Sequence, residues 1–251
     1  MIRQFAAAVS FLTRLPIACN VAFSPEEIGR SARWFPLVGT LLGGVYVLAL
    51  RTLSPLFPPI VVAVFIVIIQ ALSTGALHMD GLADMADGFG GGRTREDVLR
   101  IMRDHAIGAY GALALILLVL LKVVSIAALS ERHRAEGYLV IAPMLGRWST
   151  VMMNNLLPYA RRSEQEGMLA CGSVSNFVGR TELIVATLTA IMITGAVAPR
   201  AGIACWLTVI GVSAVTGRLC LRRIGGVTGD TLGANAELCD AGVLLVALAL
   251  H

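Results

Sequence analysis

Long apolar runs alternate with polar stretches of unequal length along the chain. Seven segments are dominated by apolar residues, and each is close to the ~20 residues that a helix needs to cross a bilayer. They cover roughly residues 36–54, 57–79, 108–130, 138–158, 182–199, 201–221 and 234–250. This pattern predicts an all-α polytopic membrane bundle with about six or seven transmembrane helices and shorter interfacial helices, formed as one domain over residues 1–251.

The polar stretches predict the topology. Those at 1–35, 80–107, 159–181 and 218–233 are long, whereas the others are short. If successive helices cross the membrane in opposite directions, all four long stretches lie on the same side. They carry 14 of the 20 Lys and Arg residues, and the positive-inside rule then places them in the cytoplasm.

The composition excludes an ordinary soluble domain. Hydrophobic residues make up 57% of the chain and charged residues 14%, with a mean hydropathy of +0.79, whereas an average soluble domain has about 25% charged residues. The net charge of +4 therefore reflects topology, and no nucleic-acid partner is expected.

The five cysteines are scattered without CxxC spacing, so neither a disulfide framework nor a zinc site is expected. The first segment, MIRQFAAAVSFLTRLP, lacks an A-x-A cleavage site and is interpreted as a retained amphipathic or re-entrant segment.

Three aspartates after the second apolar run, in HMDGLADMADGFGGG, form the first candidate site. A helix that begins at the Pro58-Pro59 pair reaches Asp80 about 30 Å further on, near the cytoplasmic interface. Asp80, Asp84 and Asp87 are spaced i, i+4 and i+7, so they share one narrow stripe of a helix. Such a stripe is tolerable if a cation lies among the carboxylates or if protons are retained. Oxygen ligands close to a phosphate substrate favour Mg²⁺; the alternative is a solvated helix end with glycine breaks.

A short amphipathic segment follows this motif. The glycines that end the motif predict a flexible link, and Thr94 with Asp97 then fits a capping box at the start of an interfacial helix. Arg100 and Arg103 on this helix are candidates for binding phosphate oxygens, or simply for attraction to anionic lipid. Asp104 is a salt-bridge partner of the arginines, a further metal ligand or a general base.

The second candidate site is GGVTGDTLGANAELCDAG, near the end of the chain. Thr228, Asp230 and Thr231 in a glycine-rich turn before an apolar helix predict an anion-binding helix N-terminus. Glu237 lies seven residues after Asp230 and shares its helix face. Because Gly-Asp-Thr turns are common helix starts, the motif gains weight only from its place on the same membrane side as the three aspartates.

Two cations and one histidine lie within or beside apolar runs. Lys122 and Arg147 are expected to point inward and to pair with acidic groups or a bound phosphate; the alternative is a purely structural buried pair. His78 lies on the opposite side of its predicted helix from the aspartates and is interpreted as an interfacial residue rather than a ligand.

Three motifs together resemble one family. HMDGLADMADG, RIMRDHAIGAYG and GGVTGDTLGANAE are similar to those of the adenosylcobinamide-GDP ribazoletransferases, also called cobalamin synthases. FLTRLP, WFPLVG and YARRSEQEG fit the same pattern, so the resemblance covers essentially the whole chain.

The resemblance implies a multi-pass, Mg²⁺-dependent enzyme of the bacterial inner membrane whose active site faces the cytoplasm. Such an enzyme joins adenosylcobinamide-GDP to α-ribazole or its 5′-phosphate, forms adenosylcobalamin or its 5′-phosphate, and releases GMP. Its expected partners are these two substrates and the lipid bilayer, and a homo-oligomer is left open.

The candidate residues then take expected roles in phosphoryl transfer, where metal and arginine clamps stabilise the developing charge. The expected metal ligands are Asp80, Asp84 and Asp87, with Glu237 in a second cation site or orienting Lys122; the expected substrate ligands are Arg14, Arg100, Arg147, Arg161, Thr228 and Thr231; the expected catalytic groups are Arg103, Lys122 and either Asp104 or Asp230 as acceptor of the hydroxyl proton.

Two rival functions fit parts of the sequence. A CDP-alcohol phosphotransferase also has clustered aspartates at a cytoplasmic helix end, but those enzymes have Arg after the Ala of their DGxxA motif, where this chain has Asp84. A cation-coupled transporter would need its charges near the middle of the bilayer, whereas most carboxylates here crowd one interface.

Overall fold

The computed structural model describes residues 1–15, 21–132, 135–161, 174–199 and 201–250. These residues form helices without a β-strand, which confirms the all-α prediction. The helices are α1 (Ile2–Leu12), α2 (Pro25–Ser31), α3 (Phe35–Leu53), α4 (Pro59–Thr74), α5 (Leu77–Gly91), α6 (Arg95–Ile101), α7 (Ala109–Glu131), α8 (Ala135–Leu156), α9 (Arg180–Val197), α10 (Gly202–Ile224) and α11 (Gly229–Leu250). A 3₁₀ turn over Ala32–Trp34 joins α2 to α3.

Within the described ranges, five spans are long and apolar enough to cross a membrane. They are Pro25–Leu53, which runs from α2 through α3, and the helices α7, α9, α10 and α11; α4 and α5 together make a sixth if a bent pair counts as one span. Large apolar side chains on the outer faces of α7, α9 and α10 are exposed, Leu117, Met192 and Leu207 among them. Such faces suit contact with lipid chains, so the chain is a multi-pass membrane protein.

Helix α8 is the central helix of the bundle. It is 22 residues long, but it is less apolar than the five spans because it carries polar side chains such as Arg147 and Ser149. Every residue from 141 to 151 is buried, and α3, α9, α10 and α11 pack around the helix. A helix enclosed by protein can carry polar groups that lipid would not tolerate.

The second apolar run is not one straight helix, so that prediction is wrong. Helix α4 ends at Thr74, and Gly75 and Ala76 both adopt left-handed backbone angles, with φ of 62° and 57°. Helix α5 then leaves at 91° to α4. The left-handed angle favours glycine at position 75, and the side chain of Arg14 packs against it, since a Cβ there would lie 2.2 Å from Nε of Arg14. The three aspartates therefore lie on a helix of their own, turned across the end of α4.

Glycines on α5 allow its neighbours to approach closely. A Cβ on Gly81 would lie 2.6 Å from the carbonyl oxygen of Asp230, and a Cβ on Gly88 would lie 2.4 Å from the side chain of Met102. The predicted flexible link is also wrong, because α5 continues to Gly91 and its last turns pack on α6. The glycine of each Asp-Gly pair thus lets a neighbouring segment pack tightly beside the aspartates.

The capping box predicted for α6 is confirmed. The Thr94 hydroxyl accepts from the backbone N–H of Asp97 at 3.1 Å, and the Asp97 carboxylate accepts from that of Thr94 at 3.4 Å. These hydrogen bonds hold the pKa of the exposed Asp97 carboxyl below its usual range.

The described parts of the four long polar stretches meet at one end of the bundle. Three contacts link them: Gly29 packs on Phe177, the Arg223 guanidinium donates to the carbonyl of Phe89 at 2.7 Å, and the backbone of Ala160 donates to Val227 at 2.8 Å. The prediction that these stretches share one side is therefore confirmed.

Candidate active site

Asp80 and Asp84 line a cleft at this end of the bundle. Asp80 is exposed and Asp84 is half-buried, one turn further along α5. The cleft, called the acidic cleft below, measures about 860 Å³ including its open part. Its other ionisable lining residues are Arg103, Asp104, His105 and Arg161. The cleft thus holds carboxylate oxygens and guanidinium groups side by side.

Asp87 has a different environment from the other two aspartates. Its two carboxylate oxygens accept from the backbone N–H groups of Gly108 and Gly111 at 2.7 and 2.8 Å. These N–H groups belong to the first turn of α7, where no carbonyl of the helix can reach them. Asp87 is therefore the N-terminal cap of α7, and its role as a metal ligand stays a prediction.

The N-terminal end of α11 is fixed by two threonines. The backbone N–H of Thr228 donates to the Thr231 hydroxyl at 2.8 Å, and the backbone N–H of Thr231 donates to the Thr228 hydroxyl at 3.3 Å. Both threonines are fully buried. They act as a reciprocal cap that sets the direction of α11, while the substrate contacts predicted for their side chains stay a prediction.

Asp230 joins the two candidate sites. Its carboxylate accepts from Nη2 of Arg161 at 2.8 Å, and its backbone lies against Gly81 of α5, as described above. Asp80 and Asp230 line the same pocket. The structure therefore brings the acidic stripe of α5 and the N-terminal end of α11 together, as the sequence suggested. The remainder of the YARRSEQEG motif, residues 162–167, lies outside the described residues.

A second cleft, called the basic cleft below, adjoins the acidic cleft. It measures about 1010 Å³ including its open part, and its charged lining residues are Arg95, Glu96, Arg100, Arg103 and Arg161. Arg103 and Arg161 line both clefts. Arg95 donates to the carbonyl oxygens of Ile224 and Ala160 at 2.8 and 2.5 Å, so it ties α6 to the neighbouring segments.

Arg14 and Arg147, predicted as substrate ligands, lie elsewhere. Arg14 packs over Gly75 at the bend between α4 and α5. Arg147 is buried in α8 and donates to the carbonyl of Pro143 at 3.1 Å. Neither arginine is among the described residues that line the acidic cleft, the basic cleft or the apolar cavity beside α1, so their contacts with substrate stay predictions.

Lys122 and Glu237 form part of a buried ion cluster. The Lys122 ammonium donates to Glu237 at 2.5 Å, to Asp240 at 2.6 Å and to the side-chain oxygen of Gln70 at 3.3 Å. The expectation that Lys122 pairs with acidic groups is confirmed. Neither Lys122 nor Glu237 lines a described cavity. Both residues therefore lie outside the clefts. The catalytic role of Lys122 and the metal role of Glu237 stay predictions.

We expect Lys122→Met to destabilise the protein by about 3–5 kcal/mol, because two carboxylates lose their cation inside the bundle. Thermal unfolding in detergent, followed by tryptophan fluorescence, measures this. The triple variant with Glu237→Gln and Asp240→Asn should recover most of the loss, since neither of the two side chains then carries a buried negative charge. An unchanged melting temperature with lost turnover would instead support the catalytic role predicted for Lys122.

A third cavity, called the apolar pocket below, lies beside α1, α3 and α11. It measures about 840 Å³ including its open part, and most of its lining side chains are apolar. It contains groups that the sequence analysis missed, namely Phe35, Asn154 and Ser175. His78 also lines it and is buried by protein; its interpretation as an interfacial residue rather than a ligand stays a prediction. In the sequence, the sign of a polar site here is the pair of asparagines at 154–155, which interrupts the end of an apolar run.

The site suits a metal that is held partly by substrate. In the described ranges, His, Cys, Asp and Glu side chains do not gather in threes close enough to hold a metal ion. Mg²⁺ in phosphoryl-transfer sites typically uses one or two carboxylates together with phosphate oxygens and water. Asp80 and Asp84, which share the acidic cleft with Arg103 and Arg161, fit that donor set.

Comparisons with known proteins identify the family of the chain. The family model described as Cobalamin-5-phosphate synthase matches residues 4–248. The chain belongs to this family. Among its curated relatives is an adenosylcobinamide-GDP ribazoletransferase of Syntrophobacter fumaroxidans, 39% identical over 99% of both chains. Relatives of the same name from Clostridium botulinum (34% identical, covering 99% of this chain and 98% of the relative) and Chlorobaculum tepidum (38%, covering 98% and 95%) also match.

No solved structure matches the chain significantly. The sequence resemblance to this family is therefore confirmed by the family model and by full-length relatives. Neither the CDP-alcohol phosphotransferases nor a cation-coupled transporter is favoured by these matches.

Proposed function

We propose that this chain catalyses the last joining step of cobalamin assembly, in which adenosylcobinamide-GDP and α-ribazole, or its 5′-phosphate, form adenosylcobalamin, or its 5′-phosphate, and GMP. The relatives carry the name of this activity over nearly their whole length. One structural observation carries the proposal for the site: Asp80 lines both the apolar pocket and the acidic cleft, and the basic cleft adjoins the latter. The diphosphate and the base and ribose of the acceptor can thus meet at one carboxylate.

The basic cleft supplies the cations for the diphosphate. Arg100 at the end of α6 and Arg103 just after this helix are exposed, and Arg161 lines the same cleft from the segment after α8. Guanidinium groups bind phosphate oxygens in a bidentate manner, and they stabilise charge that grows on those oxygens during transfer. In this proposal the arginines hold the diphosphate so that the phosphorus next to the corrinoid aminopropanol oxygen lies in the acidic cleft.

Asp80 and Asp84 would hold Mg²⁺ in the acidic cleft. When bound, the ion neutralises charge on the phosphate oxygens and on the leaving GMP. The half-buried position of Asp84 supports this assignment, because partial burial strengthens its interaction with a cation.

Asp230 is our candidate for the group that accepts the proton of the ribazole hydroxyl. A new bond forms between that hydroxyl oxygen and phosphorus, the bond from phosphorus to the GMP oxygen breaks, and the hydroxyl proton passes to the carboxylate. Asp230 lines the apolar pocket and is fixed by Arg161, which supports it over Asp104, an exposed residue of the acidic cleft.

The site would face the cytoplasm of the bacterial inner membrane. The end of the bundle that carries the three cavities also carries the four arginine-rich stretches, and the positive-inside rule supports a cytoplasmic location for them. Both substrates carry phosphate or ribose groups and would then be drawn from the cytoplasm.

Release of GMP tests the proposal. Detergent-solubilised protein with adenosylcobinamide-GDP and α-ribazole should release GMP and form a corrinoid product in equal amounts, and removal of Mg²⁺ with EDTA should stop both. GMP release that needs no ribazole would indicate a hydrolase. Absence of GMP release with both substrates and Mg²⁺ present would refute the proposal.

A further inference from the structure

We infer that the apolar pocket binds the aromatic base of the acceptor nucleoside and thereby directs the ribose hydroxyl to Asp230. The inference rests on the proposed function, and it divides the site between the two substrates. Ribazole is a ribonucleoside whose base is a dimethylated benzimidazole, a flat and uncharged bicycle with one free ring nitrogen.

The charge of the pocket excludes the diphosphate. Among the described residues that line it there is neither lysine nor arginine, and its two acidic residues are Asp80 and Asp230. Both carboxylates also belong to the polar centre of the site, because Asp80 lines the acidic cleft and Asp230 binds Arg161. An anion would therefore be repelled from the pocket and attracted to the neighbouring arginines.

The walls of the pocket suit a flat apolar ring. Phe11 and Phe35 line it and stack on each other, with ring centroids 5.9 Å apart and an angle of 14° between the planes. Ile28, Val151 and Leu232 are among the aliphatic side chains that complete the lining. Aromatic and aliphatic walls of this kind bind nucleobases by stacking and by burial of apolar surface, with few hydrogen bonds.

One polar group in the pocket is available to a base nitrogen. The Ser175 hydroxyl donates to the side-chain oxygen of Asn154, which leaves the amide nitrogen of the half-buried Asn154 as a donor. A ring nitrogen that accepts from this amide keeps a hydrogen bond when the base leaves water, so its burial costs less free energy. His78 also lines the pocket, but its Nδ1 is covered by protein.

The other parts of the substrates fit less well. Guanine presents a carbonyl, an amino group and ring nitrogens along its edges, and the corrinoid carries many amide side chains. Each of these groups needs a hydrogen-bond partner when buried. The pocket offers a few polar side chains in a mostly apolar lining, so the base of ribazole is the occupant that it suits.

Filling the pocket tests the inference. Leu232→Trp should raise KM for α-ribazole at least about 10-fold, while KM for adenosylcobinamide-GDP stays within about 2-fold. Leu245→Trp is the matched control, because Leu245 lies on the same helix but is exposed on its lipid-facing side; both KM values should stay at the wild-type level. A rise in KM for the corrinoid substrate instead of ribazole would overturn the inference.

Direct binding separates this inference from the proposed function. Equilibrium dialysis of α-ribazole alone with detergent-solubilised protein needs no turnover. Affinity should fall at least about 10-fold in Leu232→Trp and in Asn154→Leu, and stay unchanged in Arg100→Ala. Asn154→Leu adds no bulk, so it remains readable if the tryptophan variant does not fold. Wild-type affinity in a folded Leu232→Trp or in Asn154→Leu would refute the pocket, whereas ribazole binding without GMP release would refute only the reaction.

Discussion

Replacing Asp84 by Asn is expected to lower turnover by about 10³-fold or more, because the substitution removes a carboxylate that holds the cation at the reacting phosphate. Asp84 is half-buried in the acidic cleft and lies one turn from Asp80 on the same helix. Asparagine has almost the same shape and can still accept a hydrogen bond, so the fold should persist. The rate of GMP release at saturating substrates and Mg²⁺ measures the effect.

Asp97→Asn is the matched control for Asp84→Asn. Asp97 belongs to the capping box of α6 and is not among the residues that line the clefts. Its carboxylate lies 3.5 Å from the exposed guanidinium of Arg100, and a surface ion pair of this kind contributes little. Loss of part of the cap should cost about 1 kcal/mol of stability and leave turnover near the wild-type rate. If Asp84→Asn retained near-normal turnover at saturating Mg²⁺, the assignment of the acidic stripe to the metal would be wrong.

Replacing Gly81 by Ala is the second change with a large expected effect. The added methyl group would lie 2.6 Å from the carbonyl oxygen of Asp230 and 3.0 Å from its Cα, so α5 and the first turn of α11 would have to move apart. Overpacking of this kind typically costs about 1–3 kcal/mol. Because a misplacement of about 1 Å between reacting groups can reduce a rate about 10²-fold, we expect turnover to fall more than stability. Steady-state kinetics and thermal unfolding of the same preparation measure both.

Gly44→Ala controls for the chemical change itself. Gly44 lies within α3, and a Cβ there would meet nothing within 4 Å. Alanine is the better helix former by about 1 kcal/mol, so this variant should be as stable as the wild type or slightly more stable, with unchanged turnover. Equal effects of the two substitutions would show that the contact between α5 and Asp230 does not position the site.

The sequence predicts those parts of the site that depend on local periodicity. Asp80 and Asp84 share a face because their spacing is one helical turn, and that relation survives the unexpected bend. The arginine-rich stretches meet at one end because the number and direction of the apolar runs require it. Lys122 finds acidic partners because an isolated charge in an apolar bundle is too costly.

Features that depend on contacts between distant segments could not be read from the pattern. Ala76 has a positive φ, which is unusual for a residue with a side chain, so the bend of α4 and α5 had no clear local signal. Asp87 looked equivalent to Asp84 until the first turn of α7 was seen to bind both its oxygens. The apolar pocket draws its lining from separated parts of the chain, and its polar groups, such as Asn154, resemble ordinary helix-end residues in the sequence.

The central claim is that Asp80 and Asp84 hold a divalent cation together with the diphosphate of the substrate. Binding of Mn²⁺, followed by electron paramagnetic resonance on detergent-solubilised protein with adenosylcobinamide-GDP and no ribazole, tests it most directly. We predict that wild-type protein and Asp97→Asn bind Mn²⁺ only when the diphosphate substrate is present, and that Asp84→Asn does not bind it under the same conditions. Equal, substrate-dependent Mn²⁺ binding by Asp84→Asn and the wild type would contradict the account.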